Sequence, residues 1–371
     1  MGIVNGTNFV APELYEKYYK NLRKAVEAVP IDDADLKTQW QANISRFSAY
    51  KAFHATDELR RTAKKELGDL ALLRAIYHKY NRYQASEYNT AVARARTGKQ
   101  WSQFNNPDNV RLFPCIKWLP SRSAVPREEH RIFWDHIWRK DDPFWLTNQP
   151  GTIWNCKCDW EEVDEDPTPD NDKVEAEMQK RISDAKDIGK PNPFCLPGLD
   201  ENPATSGQIF TDTAPYISSC SKTRSKKIEG WTAERTFYGE AYENTKQFQG
   251  QRVPMTLKNV TTGEDFNTDI IFDANTNSHI ANDIATNKGD FLMKELSANL
   301  PYHIKRSTLV AHEPNTKPEK RWTTNYYYYE YRIGGKTYYF NIEERDITPE
   351  KRHEFRLYSI TTKLRKSADK Y

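Results

Sequence analysis

The chain has 371 residues, of which 37% are hydrophobic, and a formal net charge of +3. This length exceeds that of one ordinary compact domain and predicts two or three domains. The near-neutral charge excludes a uniformly basic nucleic-acid-binding protein, so any basic surface must be local. No run approaches the roughly 20 apolar residues of a membrane span, and five cysteines do not predict a secreted disulfide scaffold. We therefore expect a folded protein without a membrane partner, working in a reducing environment.

The first hundred residues predict a bundle of three long helices. In the first, Ala11–Val29, apolar side chains recur at steps of three and four residues and form one face. Pro30 ends this helix, because proline lacks the backbone donor that the next turn needs. The second and third helices, Asp35–Lys65 and Leu67–Trp101, combine the same spacing with heavily charged outer faces.

A segment rich in proline and tryptophan follows, over residues 104–160. Its prolines remove backbone donors and restrict the residues before them, so regular elements are expected to be short. We expect its tryptophan side chains to anchor irregular loops onto the preceding helices. The six tryptophans are Trp118, Trp134, Trp138, Trp145, Trp154 and Trp160.

The next segment has the composition of a linker. Residues 161–172 are acidic and contain proline, which is typical of solvated chain. A short helix is predicted over Lys173–Ala185, and four prolines lie between residues 191 and 203. We therefore predict a helical domain at residues 1–160, a linker at 161–205 and a second domain at 206–371.

The second domain is predicted to combine helices with an antiparallel sheet. Helical patterns surround Glu229–Phe248 and recur between residues 273 and 308. Gly334 and Gly335 separate two strand-like runs and indicate a two-residue β-hairpin. The predicted strands are Arg252–Asn259, Asp269–Ala274, Tyr326–Ile333, Lys336–Ile342 and Arg356–Thr362. The whole chain is therefore predicted to be a multidomain α+β protein.

Residues from about 80 to 160 carry an ordered series of motifs. A helix with small residues, Arg94 and Arg96 is followed by His130, by a Pro-Phe-Trp segment at residues 143–145, and by Trp-Asn-Cys-Lys-Cys at residues 154–158. This order resembles the Mu F-like minor head proteins of tailed phages, whose closing motif is of the Asn-Cys-Arg-Cys type. Lys157 stands where that family often has arginine, and residues 121–125 replace its usual aspartate-containing turn.

The resemblance implies a structural component of a phage head. The chain would be a minor capsid protein of a tailed phage or prophage, associated with the portal and needed for head morphogenesis. Its partners would be portal and capsid or scaffold proteins, together with packaged DNA or host RNA at the C-terminal region. It would be located inside the head of the virion and in the host cytoplasm.

Cys156 and Cys158 leave three interpretations open. With His130 or Cys115 they would form a zinc site of nitrogen and sulfur ligands. Zinc sites more often use a Cys-x2-Cys spacing, so the second interpretation is that both cysteines pack within a tryptophan-rich loop cluster. A redox role is the third. We favour packing, and accordingly predict neither a metal nor a cofactor.

Three residues of the second domain point to phosphate chemistry. His279 follows a polar run at a predicted helix start, and imidazole exchanges protons near neutral pH. Lys305 and Arg306 would stabilise charge that develops on a phosphate. The plain alternatives are an exposed helix residue and a solvated surface pair.

The last predicted strand completes the candidate catalytic set with two hydroxyls. Strand alternation places Tyr358 and Ile360 on one face of the sheet and Ser359 and Thr361 on the other. A hydroxyl would position a phosphate by hydrogen bonding, although an ordinary strand face has the same pattern. The full candidate catalytic set is His279, Lys305, Arg306, Ser359 and Thr361.

This layout resembles the barnase–EndoU–colicin–RelE-like nuclease domains that phages fuse behind Mu F-like modules. The resemblance covers about residues 265–365 and implies a metal-independent ribonuclease that acts as a toxin. No glycine-rich phosphate loop, His-Glu-x-x-His or Gly-x-Ser-x-Gly motif indicates another enzyme class. The alternative is a purely structural or DNA-binding head protein without catalytic activity.

Residues 351–371 form a basic segment. They contain seven lysines or arginines against one glutamate and one aspartate, with Phe355, Tyr358 and Tyr371 interleaved. Such a segment either contacts a phosphate backbone or is a solvated chain end, and the sequence leaves both open.

Overall fold

The computed structural model divides the chain into two compact units, residues 1–228 and 229–371. The structure describes residues 8–65, 69–258, 262–287, 289–347, 352–365 and 368–370. Long helices and two sheets confirm the predicted α+β class. Within the described ranges, no helix combines the length and the apolar character needed to cross a membrane.

Three long helices open the first unit, as predicted. They are α1 (Pro12–Glu27), α2 (Ala34–Lys65) and α3 (Leu70–Phe104). Their buried faces include polar pairs: the hydroxyls of Tyr15 and Ser45 are 2.8 Å apart, and a fully buried Lys51 of α2 pairs with Glu87 of α3.

Short elements follow these helices, as the prolines predict. They are α4 (Pro107–Leu112), β1 (Cys115–Leu119), β2 (Ile137–Arg139) and β3 (Asp159–Val163). The strands form an antiparallel sheet in the order β2-β1-β3. Trp160 of β3 stacks on Trp101 of α3 with ring centroids 5.7 Å apart. The expectation that tryptophans anchor this region onto the helices is confirmed at this contact.

The segment predicted as a linker is part of the first unit. It contributes most of β3, α5 (Asn171–Asp187) and most of α6 (Pro203–Ser206). The next helix, α7 (Pro215–Ser218), comes from the predicted second domain and also belongs to the first unit. Phe194 is fully buried in the tryptophan core. The side chain of Asn43 donates to the Phe210 carbonyl at 2.8 Å. The predicted boundary at 205/206 is therefore wrong, because apolar residues set between the prolines pack onto the helices.

The second unit follows, and its first helix, α8 (Lys222–Thr232), contains the division between the units. This helix continues through a π-helical turn at Ala233–Phe237 into α9 (Tyr238–Lys246). The remaining elements are β4 (Arg252–Lys258), β5 (Asp265–Ile271), α10 (Ala274–Thr286), α11 (Phe291–Leu296), α12 (Leu300–Lys305), β6 (Thr308–Pro314), β7 (Thr323–Ile333), β8 (Lys336–Ile347), β9 (Arg352–Thr361) and β10 (Asp369–Lys370).

The second unit's sheet has the strand order β10-β6-β7-β8-β9-β5-β4 in the part of the chain that the structure describes. Neighbouring strands are antiparallel except β5 and β9. The predicted hairpin is confirmed: Gly334 and Gly335 join β7 to β8 with φ of 55° and 70°, which glycine adopts without strain. At one end of this strand order, β4 forms an edge of the sheet and contains Pro254.

Candidate functional site

A buried ion-pair cluster lies on one face of the second unit's sheet. Glu343 of β8 stands opposite Arg356 of β9 and accepts a hydrogen bond from its guanidinium. Arg356 also donates to Asp273 at 2.7 Å, while the Thr323 hydroxyl donates to the other oxygen of Glu343 at 2.6 Å. Although burial lowers the pKa of Arg356, the charges of Glu343 and Asp273 raise it above its ordinary value. The guanidinium is therefore fixed and charged.

A β-bulge directs Tyr358 to this cluster. Ser359 stands opposite Asn341 and Leu357 opposite Ile342, so Tyr358 is an extra residue in β9. The predicted strict alternation of this strand is therefore wrong at Tyr358. Bulges of this kind re-aim side chains and are frequent beside functional sites.

Lys320 joins the cluster from the loop before β7. Its ammonium lies 3.8 Å from the ring centroid of Tyr358 and 3.7 Å from a carboxylate oxygen of Glu343. Burial lowers the pKa of Lys320, but the nearby hydroxyls of Tyr358 and Tyr326 and the charge of Glu343 outweigh it and raise the pKa overall. Two cations, those of Lys320 and Arg356, thus lie near one aromatic ring.

His279 approaches the same ring from α10, which runs along the edge of β9. The Thr276 hydroxyl donates to the Leu357 carbonyl at 2.6 Å, and the Asp283 carboxylate accepts from the Ile360 N–H at 3.1 Å. These bonds fix the helix so that the exposed His279 ring lies 4.6 Å, centroid to centroid, from Tyr358.

The surroundings of His279 favour its neutral form. Partial burial lowers the pKa of His279, and the positive charges of Arg356 and Lys320 lower it further. Glu343 and Asp273 oppose this shift without cancelling it. A neutral imidazole beside two cations can accept a proton from a group that approaches a bound phosphate.

The structure brings three of the five predicted catalytic residues to this face. His279 contacts Tyr358. Ser359 and Thr361 are paired with Asn341 and Tyr339, which lie two and four residues before Glu343 on β8. The Thr361 hydroxyl donates to the carbonyl of Lys363 at 3.1 Å.

Lys305 and Arg306 lie elsewhere. They end α12, whose buried His303 bonds to the Tyr331 hydroxyl at 3.0 Å. In β7, Tyr326 stands opposite Glu343 and lies on the cluster's face of the sheet. Tyr331 is five residues further along the strand, and side chains an odd number of residues apart point to opposite faces. The Arg306 guanidinium lies 3.9 Å from the ring centroid of Tyr302. The structure therefore does not bring Lys305 and Arg306 together with His279, contrary to the predicted catalytic set.

The predicted catalytic set did not include Lys320, Glu343, Arg356 or Tyr358, although Arg356 and Tyr358 belong to the basic segment 351–371. A signal was present for Glu343, because Glu343 and Glu344 are adjacent in a strand and must face opposite sides. Lys320 gave no signal, since it lies in a loop and reaches the cluster only through tertiary structure.

Among the described residues of the basic segment 351–371, three arginines take part in ion pairs. Arg356 pairs as described above, Arg365 lies 2.7 Å from Glu313, and Arg352 lies 3.3 Å from Glu354. Lys351 and Lys366 lie outside the described residues. The arginines therefore belong to the folded sheet and its partners, which favours neither a free tail nor a dedicated phosphate-binding strip.

A second cluster, in the first unit, consists of His130, Cys156 and Cys158. Their ligand atoms lie within 4.8 Å of one another. His130 belongs to a short 3-10 helix, Glu129–Phe133, and the cysteines directly precede β3. The Cys158 thiol donates to the Cys156 sulfur, and with His130 this lowers the pKa of Cys156 well below its ordinary value despite burial. This donor set suits a metal ion of borderline softness.

Each unit thus contains, among its described residues, a compact cluster of side chains that can support chemistry. Comparison of the chain with protein-family models, with curated proteins and with solved structures finds no match in any of the three.

Proposed function

We propose that the second unit is a metal-independent ribonuclease with His279 as its proton-transferring residue. The observation that carries this proposal is the convergence of His279, Lys320 and Arg356 on the ring of Tyr358. A proton acceptor and two cations near one another are the parts that phosphodiester cleavage requires.

The proposed reaction uses the 2′-hydroxyl of RNA as the nucleophile. Neutral His279 takes the 2′ proton while the 2′-oxygen attacks phosphorus. The bond from phosphorus to the 5′-oxygen then breaks, and water supplies the proton for the leaving oxygen. The hydroxide that remains takes the proton from His279, which returns the histidine to its neutral form. Lys320 and Arg356 stabilise the charge on the phosphate oxygens, and Glu343 positions Arg356. The products are a 2′,3′-cyclic phosphate and a 5′-hydroxyl.

RNA cleavage by the full chain, without added divalent cations, tests this proposal. We expect cleavage products that end in 2′,3′-cyclic phosphate, and a rate at least about 100-fold lower for His279→Ala, which is the usual size of a general acid–base contribution. The matched control is His353→Ala, because His353 is an exposed histidine of β9 that bonds Glu344 instead of the cluster.

The outcomes separate the mechanism from its alternative. Equal cleavage by wild type and His279→Ala would contradict the assigned role of His279. Absence of cleavage by a correctly folded wild-type chain, on RNA of several sequences, would favour a head protein without catalytic activity.

We further propose that the first unit is a minor head module of a tailed phage or prophage, associated with portal and capsid or scaffold proteins. The motif order resembling Mu F-like proteins supports this, and so does the packing of those motifs on one another. The Thr97 hydroxyl of α3 donates to the Pro150 carbonyl at 2.9 Å, and the Asn155 N–H donates to the Thr90 hydroxyl at 2.8 Å.

Mass spectrometry of purified procapsids tests the head assignment. If the chain is a minor head protein, its peptides should be present at a small fraction of the major capsid protein, and antibody pull-down should recover the portal. Procapsids that lack the chain would contradict the assignment and leave the ribonuclease proposal untouched.

A further inference from the structure

We propose that His130, Cys156 and Cys158 bind one Zn²⁺ ion in the first unit. A tetrahedral zinc with Zn–S bonds of about 2.3 Å and Zn–N bonds of about 2.0 Å holds its sulfur and nitrogen donors about 3.5 Å apart. His130 Nδ1 lies 3.5 Å from the sulfur of Cys156 and 3.8 Å from that of Cys158. Both nitrogen–sulfur separations are therefore already close to those that the ion imposes, and all three donor atoms lie within 4.8 Å of one another.

The other ring nitrogen of His130 is held as it is in zinc sites. Nε2 lies 3.0 Å from the Phe194 carbonyl, which can only accept a hydrogen bond. Nε2 therefore donates to this carbonyl, and Nδ1, on the side of the two sulfurs, is the atom that would bind the ion. A histidine that binds a metal through one nitrogen usually donates from the other to an oxygen, which fixes its tautomer and orientation.

The sulfur of Cys158 is surrounded by donors suited to a thiolate. The indole N–H groups of Trp118 and Trp134 are buried without a hydrogen-bond partner among the described residues. Trp118 lies in the core against which Trp134 and Cys158 pack, and both indole N–H groups are near the Cys158 sulfur. Trp118 is fully buried on β1, so its N–H has no access to water. A metal-bound thiolate would give both groups an anionic neighbour.

The backbone holds the two cysteines at this position independently of an ion. Asn155 has a left-handed φ of 60°, which turns the chain just before Cys156. The Lys157 carbonyl accepts from the Arg122 N–H at 3.0 Å. Because the segment is fixed on both sides, the short Cys-x-Cys spacing is compatible with binding through both sulfurs.

Three protein donors leave one position of a tetrahedral zinc for water or a small anion. Cys156 and Cys158 line a cleft of about 460 Å³ between α3 and residues 155–159, which gives solvent a route to the ion. Arg96 and Lys157 also line this cleft. The site thus combines a buried His–Cys pair with an accessible fourth position.

Metal analysis of the full chain tests the site. After expression with zinc and purification under reducing conditions, we expect one zinc per chain, released when a mercurial reagent titrates the thiols. His130→Ala and Cys156→Ser should lose it. Cys115→Ser is the matched control, because Cys115 is a buried cysteine of β1 outside the triad and should retain one zinc.

A spectrum of the cobalt-substituted wild type keeps the proposal testable if the variants fail to fold. Co²⁺ bound by two thiolates and one imidazole gives a near-ultraviolet thiolate-to-cobalt charge-transfer band and visible bands typical of tetrahedral coordination. A wild-type chain with no bound zinc, with a cobalt spectrum lacking the thiolate band, or with a Cys156–Cys158 disulfide under reducing conditions would overturn the proposal.

Discussion

Two cations, Arg356 and Lys320, lie near His279 and lower its pKa, as partial burial also does. Two carboxylates, Glu343 and Asp273, raise the pKa, but their effect is smaller than that of the cations. Since the reactive form is the neutral imidazole, the acid limb of RNA cleavage should lie below the ordinary histidine pKa of about 6.5. Activity should be retained above the limb and lost as the pH falls through it.

The variant Lys320→Met tests this balance of charge. Removal of one cation should raise the pKa of His279, so the acid limb of kcat/KM should move to higher pH while the maximum rate falls. Profiles of kcat/KM against pH for the wild type and the variant measure this shift. A limb that stays in place or moves to lower pH would contradict the proposed influence of Lys320 on His279.

Arg94 is a second residue whose surroundings determine its role. It is almost fully buried, and it donates to the carbonyls of Leu199 at 2.8 Å, Glu201 at 2.6 Å and Ile209 at 2.5 Å. Burial lowers its pKa to about 10, so the guanidinium remains charged at neutral pH. A single side chain thus joins α3 to the segment that sequence reasoning described as a linker.

Arg94→Lys should destabilise the first unit by about 2–4 kcal/mol, because an ammonium cannot reproduce the planar fork and leaves buried carbonyls unpaired. Urea unfolding followed by tryptophan fluorescence measures this, since all tryptophans except Trp231 and Trp322 lie in the first unit. Arg96→Lys, an exposed position on the same helix, should change stability by less than about 0.5 kcal/mol. Equal effects of the two variants would contradict the role of Arg94.

At the scale of secondary-structure elements, the buried ion pair between Lys51 on α2 and Glu87 on α3 joins two long helices. Burial lowers the pKa of Lys51 and raises that of Glu87, while their mutual attraction opposes both shifts. Lys51→Met should cost about 3–5 kcal/mol, because it leaves a buried carboxylate without its partner.

The double variant of this pair separates lost attraction from an unpaired charge. Lys51→Met combined with Glu87→Leu should be more stable than Lys51→Met alone, since apolar residues of similar volume often replace a buried pair at little cost. Tryptophan-monitored unfolding of both variants measures the difference. A double variant no more stable than the single one would contradict this explanation.

Asp283 connects α10 to the edge of β9 and makes the stability of the second unit depend on pH. Burial raises its pKa to about 6, although the hydrogen bond from Ile360 lowers it. A carboxyl whose pKa is higher in the folded state favours folding while protonated, so this contribution is lost as the pH rises from about 4 to about 6. Asp283→Asn should therefore stabilise the unit at pH 7 by on the order of 2 kcal/mol.

Thermal unfolding of Asp283→Asn at several pH values checks the sign of this effect. The advantage of the variant should shrink as the pH falls and vanish below about pH 4, where the carboxyl is protonated in both states. Asp265→Asn, at an exposed carboxylate of β5, should show no comparable trend. An advantage independent of pH would mean that something other than ionisation is responsible.

The elements differ in how well their sequences predict them. The long helices and the glycine hairpin were predicted closely, because each depends on local periodicity or on positive φ at two glycines. Strand β6 was missed, and β8 runs to Ile347 instead of Ile342. The strand continues through Glu343–Arg345. Its charged side chains gave no indication of a strand, because the burial of Glu343 depends on tertiary packing.

Among the predicted catalytic residues, His279 contacts the cluster through Tyr358, whereas Ser359 and Thr361 share its face of the sheet. The bulge at Tyr358 depends on the register between β8 and β9, which one sequence does not reveal. Lys320 and Arg356 become neighbours of one ring only after the strands pair. The missing information was therefore the register in which the strands pair, more than the type of each residue.

For the whole molecule, composition was a poor guide to where one unit ends. Acidic residues and prolines indicated a tether, yet the chain through residue 228 packs into the first unit. Proline limits hydrogen-bonded structure without preventing burial, as Phe194 and the contacts of Arg94 illustrate. The proposed zinc site and ribonuclease site belong to different units, so each can be tested, and can fail, separately.

The edge strand β4 has a consequence for solubility. An open strand edge presents unpaired backbone groups on which a strand from another molecule can add, which is how sheets grow into aggregates. Pro254 removes one donor from β4, and the exposed Arg252 and Lys258 put positive charge at both of its ends. Two copies that meet at this edge would have a gap in the hydrogen-bond ladder and repulsion between like charges. We therefore expect that high protein concentration does not readily convert this sheet into a fibril.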